Sequence, residues 1–193
     1  KGDGEQRSYG FGYDKANRLM FADFNQYTNS SWSKSAGVDF TSIMGDGINH
    51  NTAYDENGNI KAMKQWGLKL TSSPVIDELH YTYSNNGISN KLQNVIDFTN
   101  DATTKLGDFR TSANSPNASA KASFVLGTND PFLIDDYEYD VNGNMVKDLN
   151  KDIEGLSGDG IQYNHLNLPF KVQVKKNATE EKGSIKYIYN ASG

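Results

Sequence analysis

One short pattern recurs along this chain of 193 residues. It consists of an aromatic residue, then Tyr-Asp, a polar turn and an aliphatic residue. Clear copies occupy residues 13–19, 54–60 and 137–145, and degenerate copies occupy residues 81–92, 161–169 and 185–193. Because internal repetition describes how a whole chain is built, this pattern constrains the fold more than any single residue does.

Each copy has the composition of a β-hairpin. Tyr137 and Tyr139 alternate, so both rings should lie on one face of a strand. Asp140 can accept hydrogen bonds from backbone N–H groups of the turn, and Gly143 tolerates a positive φ. Met145 then starts the return strand as a cross-strand neighbour of the tyrosines. Turn chemistry therefore accounts for every residue of the motif.

We expect the following structural positions to recur in equivalent places: Tyr13, Asp14, Tyr54, Asp55, Gly58, Tyr81, Tyr83, Gly87, Tyr137, Tyr139, Asp140, Gly143, Tyr163, Tyr187 and Tyr189.

The sequence predicts an all-β fold, a curved and mostly antiparallel sheet of successive hairpins in a single domain over residues 1–193. Gly and Asn are abundant and Pro is scarce, which favours many tight turns between short strands. The intervals between copies vary too much for a propeller or a strict solenoid. Two long intervals, at about residues 28–51 and 101–131, are predicted to be loop insertions, with a short helical turn in the first.

Several function classes have little support. The net charge is −5 and the only basic cluster is Lys175-Lys176, so nucleic-acid binding is not expected. No apolar run approaches the length of a membrane span, and the absence of Cys excludes thiol chemistry. The chain starts at Lys1 rather than Met, which indicates a piece of a longer protein. Neither a nucleophile elbow nor a phosphate-binding loop is present, so we expect no catalytic residue.

The turns after Asp55 and Asp140 faintly resemble calcium-binding loops. An EF-hand loop needs Gly at its sixth position and a bidentate Glu at its twelfth. Both turns have Gly at the fourth position instead. We interpret them as turns and predict neither a metal nor a cofactor.

Trp32 is the best candidate for a ligand contact, because it lies in the first insertion and outside the alternating strand patterns. Exposed aromatic rings can stack on sugars, and neighbouring polar side chains can bind hydroxyl groups. The ring can also fold back to cover the sheet, which we favour because Trp is usually largely buried. Both alternatives remain open from the sequence.

The pattern in residues 136–145, followed by residues 161–169, resembles the YD repeats of the Rhs (rearrangement hotspot) family, in the region shortly before the Rhs-associated core. The resemblance covers most of the chain outside the two insertions. It implies a very large secreted or cell-surface bacterial protein whose hairpins align into a β-sheet strip that spirals into a hollow shell. In the toxin branch of the family this shell encloses a C-terminal toxic domain, and the repeats have been linked to carbohydrate binding. This chain has too few repeats to close a shell and ends before any core motif or toxin.

We therefore expect a structural segment, a shell or scaffold wall that is not an enzyme by itself. Its expected partners are neighbouring repeats of the same parent protein. Exposed strand edges at the two ends also favour edge-to-edge self-association of the isolated chain. The alternative function is a carbohydrate-binding module that mediates surface adhesion.

Overall fold

A computed structural model describes residues 4–99 and 107–190. The regular secondary structure of the described residues is mostly strand in antiparallel sheets, which confirms the predicted all-β class. They fall into two compact units, one of residues up to 81 with residues 96–109, and the other of residues 82–95 with those from 110 onward. The expectation of a single domain stays a prediction. No helix in the described ranges is long and apolar enough to span a membrane.

The first unit is built around an antiparallel sheet. Its elements are β1 (Arg7–Tyr13), β2 (Leu19–Thr28), β3 (Ser31–Ser33), β4 (Ser42–Met44), α1 (His50–Ala53), β5 (Ala62–Trp66) and most of β6 (Val75–Tyr83). Strand β7 (Leu92–Asp97) begins in the second unit and ends in the first. The strand order is β1-β2-β4-β5-β6-β7, and β3 pairs with β2.

The second unit contains shorter strands and two short helical segments. Its elements are α2 (Ala118–Ala122), a 3-10 turn (Pro131–Leu133), β8 (Tyr137–Tyr139), β9 (Met145–Asp148), β10 (Ile161–Tyr163), β11 (Pro169–Lys175) and β12 (Glu181–Lys186). Strands β8 and β9 form one hairpin, and β10, β11 and β12 form a three-stranded antiparallel sheet in that order.

The first insertion is more ordered than the sequence predicted. Residues 28–51 contain β3, β4 and the start of α1, and β4 lies between β2 and β5 in the sheet. A strand of three residues is too short to show an alternating pattern, which is why the sequence did not reveal it. In the second insertion, residues 101–106 lie outside the described residues, and residues 107–131 form turns and α2.

The core of the first unit lies directly beside the first two hairpin corners. Met20, Met44 and Ala53 are buried together, so the inserted segment supplies one of the three side chains, Met44. The partly buried residues that pack against them are Leu19, Tyr54, Ile60 and Met63. Burial of these apolar groups stabilises the corners on which the motif residues are placed.

Candidate functional site

Four hairpin corners share one pattern of backbone hydrogen bonds. At Asp140 the backbone N–H donates to the carbonyl of Asn144 (2.9 Å), and the carbonyl of Asp140 accepts from the N–H of Gly143 (3.0 Å). The same two bonds, with lengths of 2.9 to 3.1 Å, form the corners that begin at Asp14, Asp55 and Asn164. The backbone of the Asp or Asn residue therefore makes both of the hydrogen bonds that define each turn.

The side chain at the start of each corner braces the turn from within. Asp140 Oδ1 accepts hydrogen bonds from the N–H groups of Asn142 (2.9 Å) and Asn144 (2.8 Å). Equivalent bonds reach Asp14 Oδ1 from Ala16 and Arg18. Hydrogen bonds from the Asn144 side chain, together with those backbone donors, hold the pKa of Asp140 below its usual value.

The other two corners use the same device. Asp55 Oδ1 accepts from the N–H of Asn59 at 2.8 Å. Asn164 Oδ1 accepts from the N–H groups of Leu166 (2.9 Å) and Leu168 (3.1 Å). A neutral amide oxygen therefore replaces the carboxylate at Asn164 without a change in the bonding pattern.

The residue three positions after the bracing side chain always has a positive φ. Gly58 and Gly143 have φ values of 86° and 87°, whereas Asn17 and Asn167 have 58° and 57°. Asn is one of the few non-glycine residues that adopt this conformation readily. This explains why Asn stands where other copies have Gly.

Three hairpins also share a break in register next to the motif tyrosine. Tyr13 pairs with Leu19, Tyr139 with Met145 and Tyr163 with Pro169, and the pairing shifts by one residue immediately before each tyrosine. The extra residues on the return strands are Met20, Val146 and Phe170. Such bulges increase local twist and re-aim side chains. Two of the extra residues, Met20 and Val146, are buried.

Four motif tyrosines reach from one hairpin to the return strand of the preceding hairpin, and we call this set of contacts the tyrosine ladder. The hydroxyl groups donate to backbone carbonyls as follows: Tyr54 to Leu19 (2.5 Å), Tyr139 to Leu92 (2.9 Å), Tyr163 to Met145 (2.8 Å) and Tyr189 to Pro169 (2.7 Å). Leu19, Met145 and Pro169 are the residues that pair with the tyrosine of their own hairpin. Three of the four bonds therefore fix one copy of the motif to an equivalent point on the copy before it.

The first motif tyrosine has no such contact. The Tyr13 side chain is 59% exposed, and its hydroxyl has no hydrogen-bond partner among the described residues. It lies at the end of β1, an edge strand of the first sheet. Tyr13 is therefore a control for the other motif tyrosines, because its hydroxyl makes no bond to a preceding hairpin in the part of the chain that the structure describes.

The remaining motif residues occupy varied environments. Tyr81 and Tyr83 lie in β6, and burial raises the pKa of Tyr81. Gly87 has a φ of 81° in a longer corner, where Asn85 and Asn86 also have positive φ values. In that corner Ser84 donates from its N–H to the carbonyl of Lys91 (2.8 Å), so the turn spans more residues than in the other copies.

The last two positions are Tyr137 and Tyr187. Tyr137 pairs with Asp148 in the β8–β9 hairpin, and burial raises the pKa of its hydroxyl. Tyr187 follows β12, and its N–H donates to the carbonyl of Phe170 at 2.9 Å.

Trp32 lies on β3 and half of its surface is exposed. Its ring contacts the ring of Tyr27, the cross-strand residue on β2, with a centroid separation of 5.4 Å and an interplanar angle of 59°. The two rings form a partly exposed aromatic pair rather than a cover for the sheet core.

Three carboxylates that the sequence did not connect meet in the first unit. One oxygen each of Asp77, Asp97 and Asp108 lies within 4.8 Å of the others. Asp77 Oδ1 accepts from the N–H of Phe109, and Asp97 Oδ1 from the N–H of Glu78. Burial, and then the neighbouring charges of Asp77 and Asp108, raise the pKa of Asp97 to about 6. These residues are too far apart in sequence for spacing to reveal the cluster.

A second polar group missed by sequence reasoning lies inside the second unit. Lys121 and Asp136 form an ion pair, with Nζ 2.7 Å from Oδ2. Lys121 Nζ also lies 2.6 Å from Asn150 Oδ1. All three residues are buried. No motif or spacing in the sequence points to this group.

Comparison of the chain with protein-family models, with curated proteins and with solved structures gives no match. The likeness to Rhs repeats therefore depends on the motif residues themselves.

Proposed function

We propose that this chain is a wall segment of a large repeat protein of the Rhs type, secreted or held at a bacterial cell surface, and that it is not an enzyme by itself. The tyrosine ladder is the observation that carries this proposal. A hydroxyl that binds an equivalent carbonyl on the preceding hairpin makes each repeat a template for the next. This is the arrangement that an extended array of hairpins needs.

The corners support the same function. The geometry that these corners share uses Asp or Asn for bracing and Gly or Asn for positive φ, and four motif tyrosines make contact between repeats. Motif residues used in this way stabilise a wall and leave the loops between hairpins as the places for other activities.

Self-association of the isolated chain tests the proposal. Strand β1 is a sheet edge with exposed aromatic side chains, among them Phe11, and an unpaired edge is a template for another strand. Sedimentation velocity at increasing concentration should show association, which Phe11→Lys weakens because a charge blunts the edge. Val141→Lys, at a fully exposed turn position, is the matched control. A chain that stays monomeric throughout would contradict an open-edged wall.

Carbohydrate binding is a second candidate, and the pair formed by Trp32 and Tyr27 favours it. Two partly exposed rings at 5.4 Å offer a surface on which a sugar can stack. A glycan array should then show saturable binding that is lost in Trp32→Ala and kept in Phe11→Ala, which removes an exposed ring elsewhere. An array without binding would leave the wall as the only function proposed.

A further inference from the structure

Lys121, Asp136 and Asn150 bring an amine, a carboxylate and an amide together inside the second unit. Lys121 Nζ is 2.7 Å from Asp136 Oδ2 and 2.6 Å from Asn150 Oδ1. Only 5% of the Lys121 side chain and none of the Asp136 side chain is exposed. An ion pair in such a place contributes little net stability, because the loss of hydration offsets the attraction between the charges. Stabilisation alone is therefore a weak reason for this arrangement.

We propose that Lys121 and Asn150 join in an intramolecular isopeptide bond, with Asp136 as the group that transfers the protons. The bond would form within the folded chain, without another protein or a cofactor. It goes beyond the proposed wall function and does not depend on it.

The environment of Lys121 favours the nucleophilic form of its amine. Burial lowers the pKa of Lys121, and a desolvated lysine more readily becomes the neutral amine that attacks a carbonyl carbon. Asp136 Oδ2 is within hydrogen-bond reach of the proton that has to leave, as a general base must be.

The amide of Asn150 is held and polarised by its neighbours. Thr111 Oγ1 donates to Asn150 Oδ1 at 2.9 Å, on the oxygen that becomes negative when the carbon is attacked. Asn150 Nδ2, the leaving nitrogen, donates to the Tyr137 hydroxyl at 3.3 Å. Asp136 itself is fixed by Asn117 Nδ2, which donates to its Oδ1 at 3.0 Å.

The step balances without an oxidant. The Lys121 ammonium gives one proton to Asp136, and the neutral Nζ moves from beside Oδ1 to attack Cγ of Asn150. A new Nζ–Cγ bond forms and the Cγ–Nδ2 bond breaks. A second proton from Nζ passes to Nδ2, which leaves as ammonia. Holding the reacting groups in one site makes the step unimolecular, which supplies much of the rate.

The bond would connect α2 in the second insertion to the segment that follows β9. These residues are separated by 29 positions, so the bond would close a long loop. A covalent closure of this kind limits the unfolded chain and thereby stabilises the fold, as a disulfide does. Such a bond would serve a chain that contains no cysteine.

Intact-mass spectrometry of the denatured 193-residue chain is the decisive test. The expected mass is below the sequence mass by one molecule of ammonia, and a tryptic digest should contain a branched peptide that joins Lys121 to Asn150. Lys121→Arg should restore the full sequence mass. Asp136→Asn should slow or abolish the loss of ammonia while circular dichroism shows that the chain remains folded.

Asn57-Gly58, Asn86-Gly87 and Asn142-Gly143 can also lose ammonia, by attack of the backbone nitrogen on the asparagine side chain. Fragmentation of the peptides locates the change, so a loss confined to those positions would overturn the proposal. A wild-type chain with the full sequence mass would overturn the proposal as well, and this mass measurement does not depend on whether any variant folds. Loss of water instead of ammonia, together with a branched peptide that joins Lys121 to Asp136, would place the bond on Asp136 and contradict the assignment of Asn150.

Discussion

At the scale of single residues, the bracing side chain of each corner acts through one hydrogen-bond acceptor oxygen and does not need a negative charge. Asp140 and Asn164 accept hydrogen bonds from the N–H groups two and four residues further on, one as a carboxylate and the other as an amide. The local backbone bonds are the same in both corners. What each corner requires is therefore an acceptor at a fixed position.

This requirement predicts how substitutions of Asp140 behave. Asp140→Ala removes the acceptor, and we expect the melting temperature to fall by about 2–4 °C, as for loss of a capping side chain in a chain of this size. Asp140→Asn, which copies Asn164, should keep most of the stability at neutral pH. Thermal unfolding followed by circular dichroism measures both. Equal melting curves for wild type and Asp140→Ala would rule out the bracing role.

The difference in melting temperature between wild type and Asp140→Asn should depend on pH in a definite direction. The folded-state pKa of Asp140 is lowered from the usual 3.8, so its charge stabilises the fold above that pH. The contribution disappears as the pH falls through the lower folded-state pKa. The difference in melting temperature between wild type and Asp140→Asn should therefore become smaller as the pH is lowered.

Asp97 should show the opposite pH dependence. Its pKa is raised from 3.8 to about 6 by burial and by the charges of Asp77 and Asp108. The folded state thus binds the proton more tightly, and this contribution is complete below 3.8 and lost as the pH rises through about 6. At pH values well above that, Asp97→Asn should raise the melting temperature by roughly 2–4 °C.

The amide of Asp97→Asn can still accept from the N–H groups of Glu78 and Thr99, both 2.9 Å from Oδ1. The gain in melting temperature should vanish in acid, where the wild-type carboxyl is protonated. A variant that is less stable than wild type at neutral pH would show that the negative charge is needed there. Asp159→Asn, at an exposed position, is the control.

At the scale of hairpins, the tyrosine ladder predicts that loss of one hydroxyl weakens contact between repeats. Tyr163→Phe keeps the ring and removes the bond to the Met145 carbonyl, which should cost about 1 kcal/mol. Tyr13→Phe is the matched control, because the Tyr13 hydroxyl has no partner among the described residues. Chemical denaturation measures both free energies of unfolding. A similar loss in the two variants would assign the effect to the ring environment rather than to the ladder.

Sequence reasoning reached the corners because their chemistry is local. Tyr-Asp followed by Asn-Gly specifies an acceptor, a positive φ and a return strand within a few residues. In two copies Asn17 and Asn167 stand at the Gly position and adopt the same positive φ. The all-β class followed from these signals.

Contacts between distant residues were not accessible in this way. The partner of each ladder tyrosine is a backbone carbonyl. Every residue has one, so no residue type in the sequence indicates which carbonyl a tyrosine will bind. Asp77, Asp97 and Asp108 meet only after the strands pair, and β4 is too short to recognise. Lys121 lies in a segment without any repeat signal, although it meets Asp136 directly before β8.

At the scale of the whole molecule, local corners and the tyrosine ladder together explain how a degenerate repeat can still specify an ordered chain. Each corner sets the register of its own hairpin, and each ladder bond aligns a hairpin with the one before it. Copies that lose Asp or Gly retain the fold when Asn supplies the same oxygen or the same φ, as Asn164 and Asn167 do. The motif can thus diverge without loss of the fold.

The hydroxyl protons of the ladder tyrosines provide the most direct test of this account. A proton held in a hydrogen bond and shielded from water exchanges slowly enough to be observed by NMR. The account predicts resonances for the hydroxyl protons of Tyr54, Tyr139 and Tyr163, with nuclear Overhauser effects to the strand of the preceding hairpin, and none for Tyr13. Hydroxyl protons that exchange as fast in all four tyrosines would contradict it.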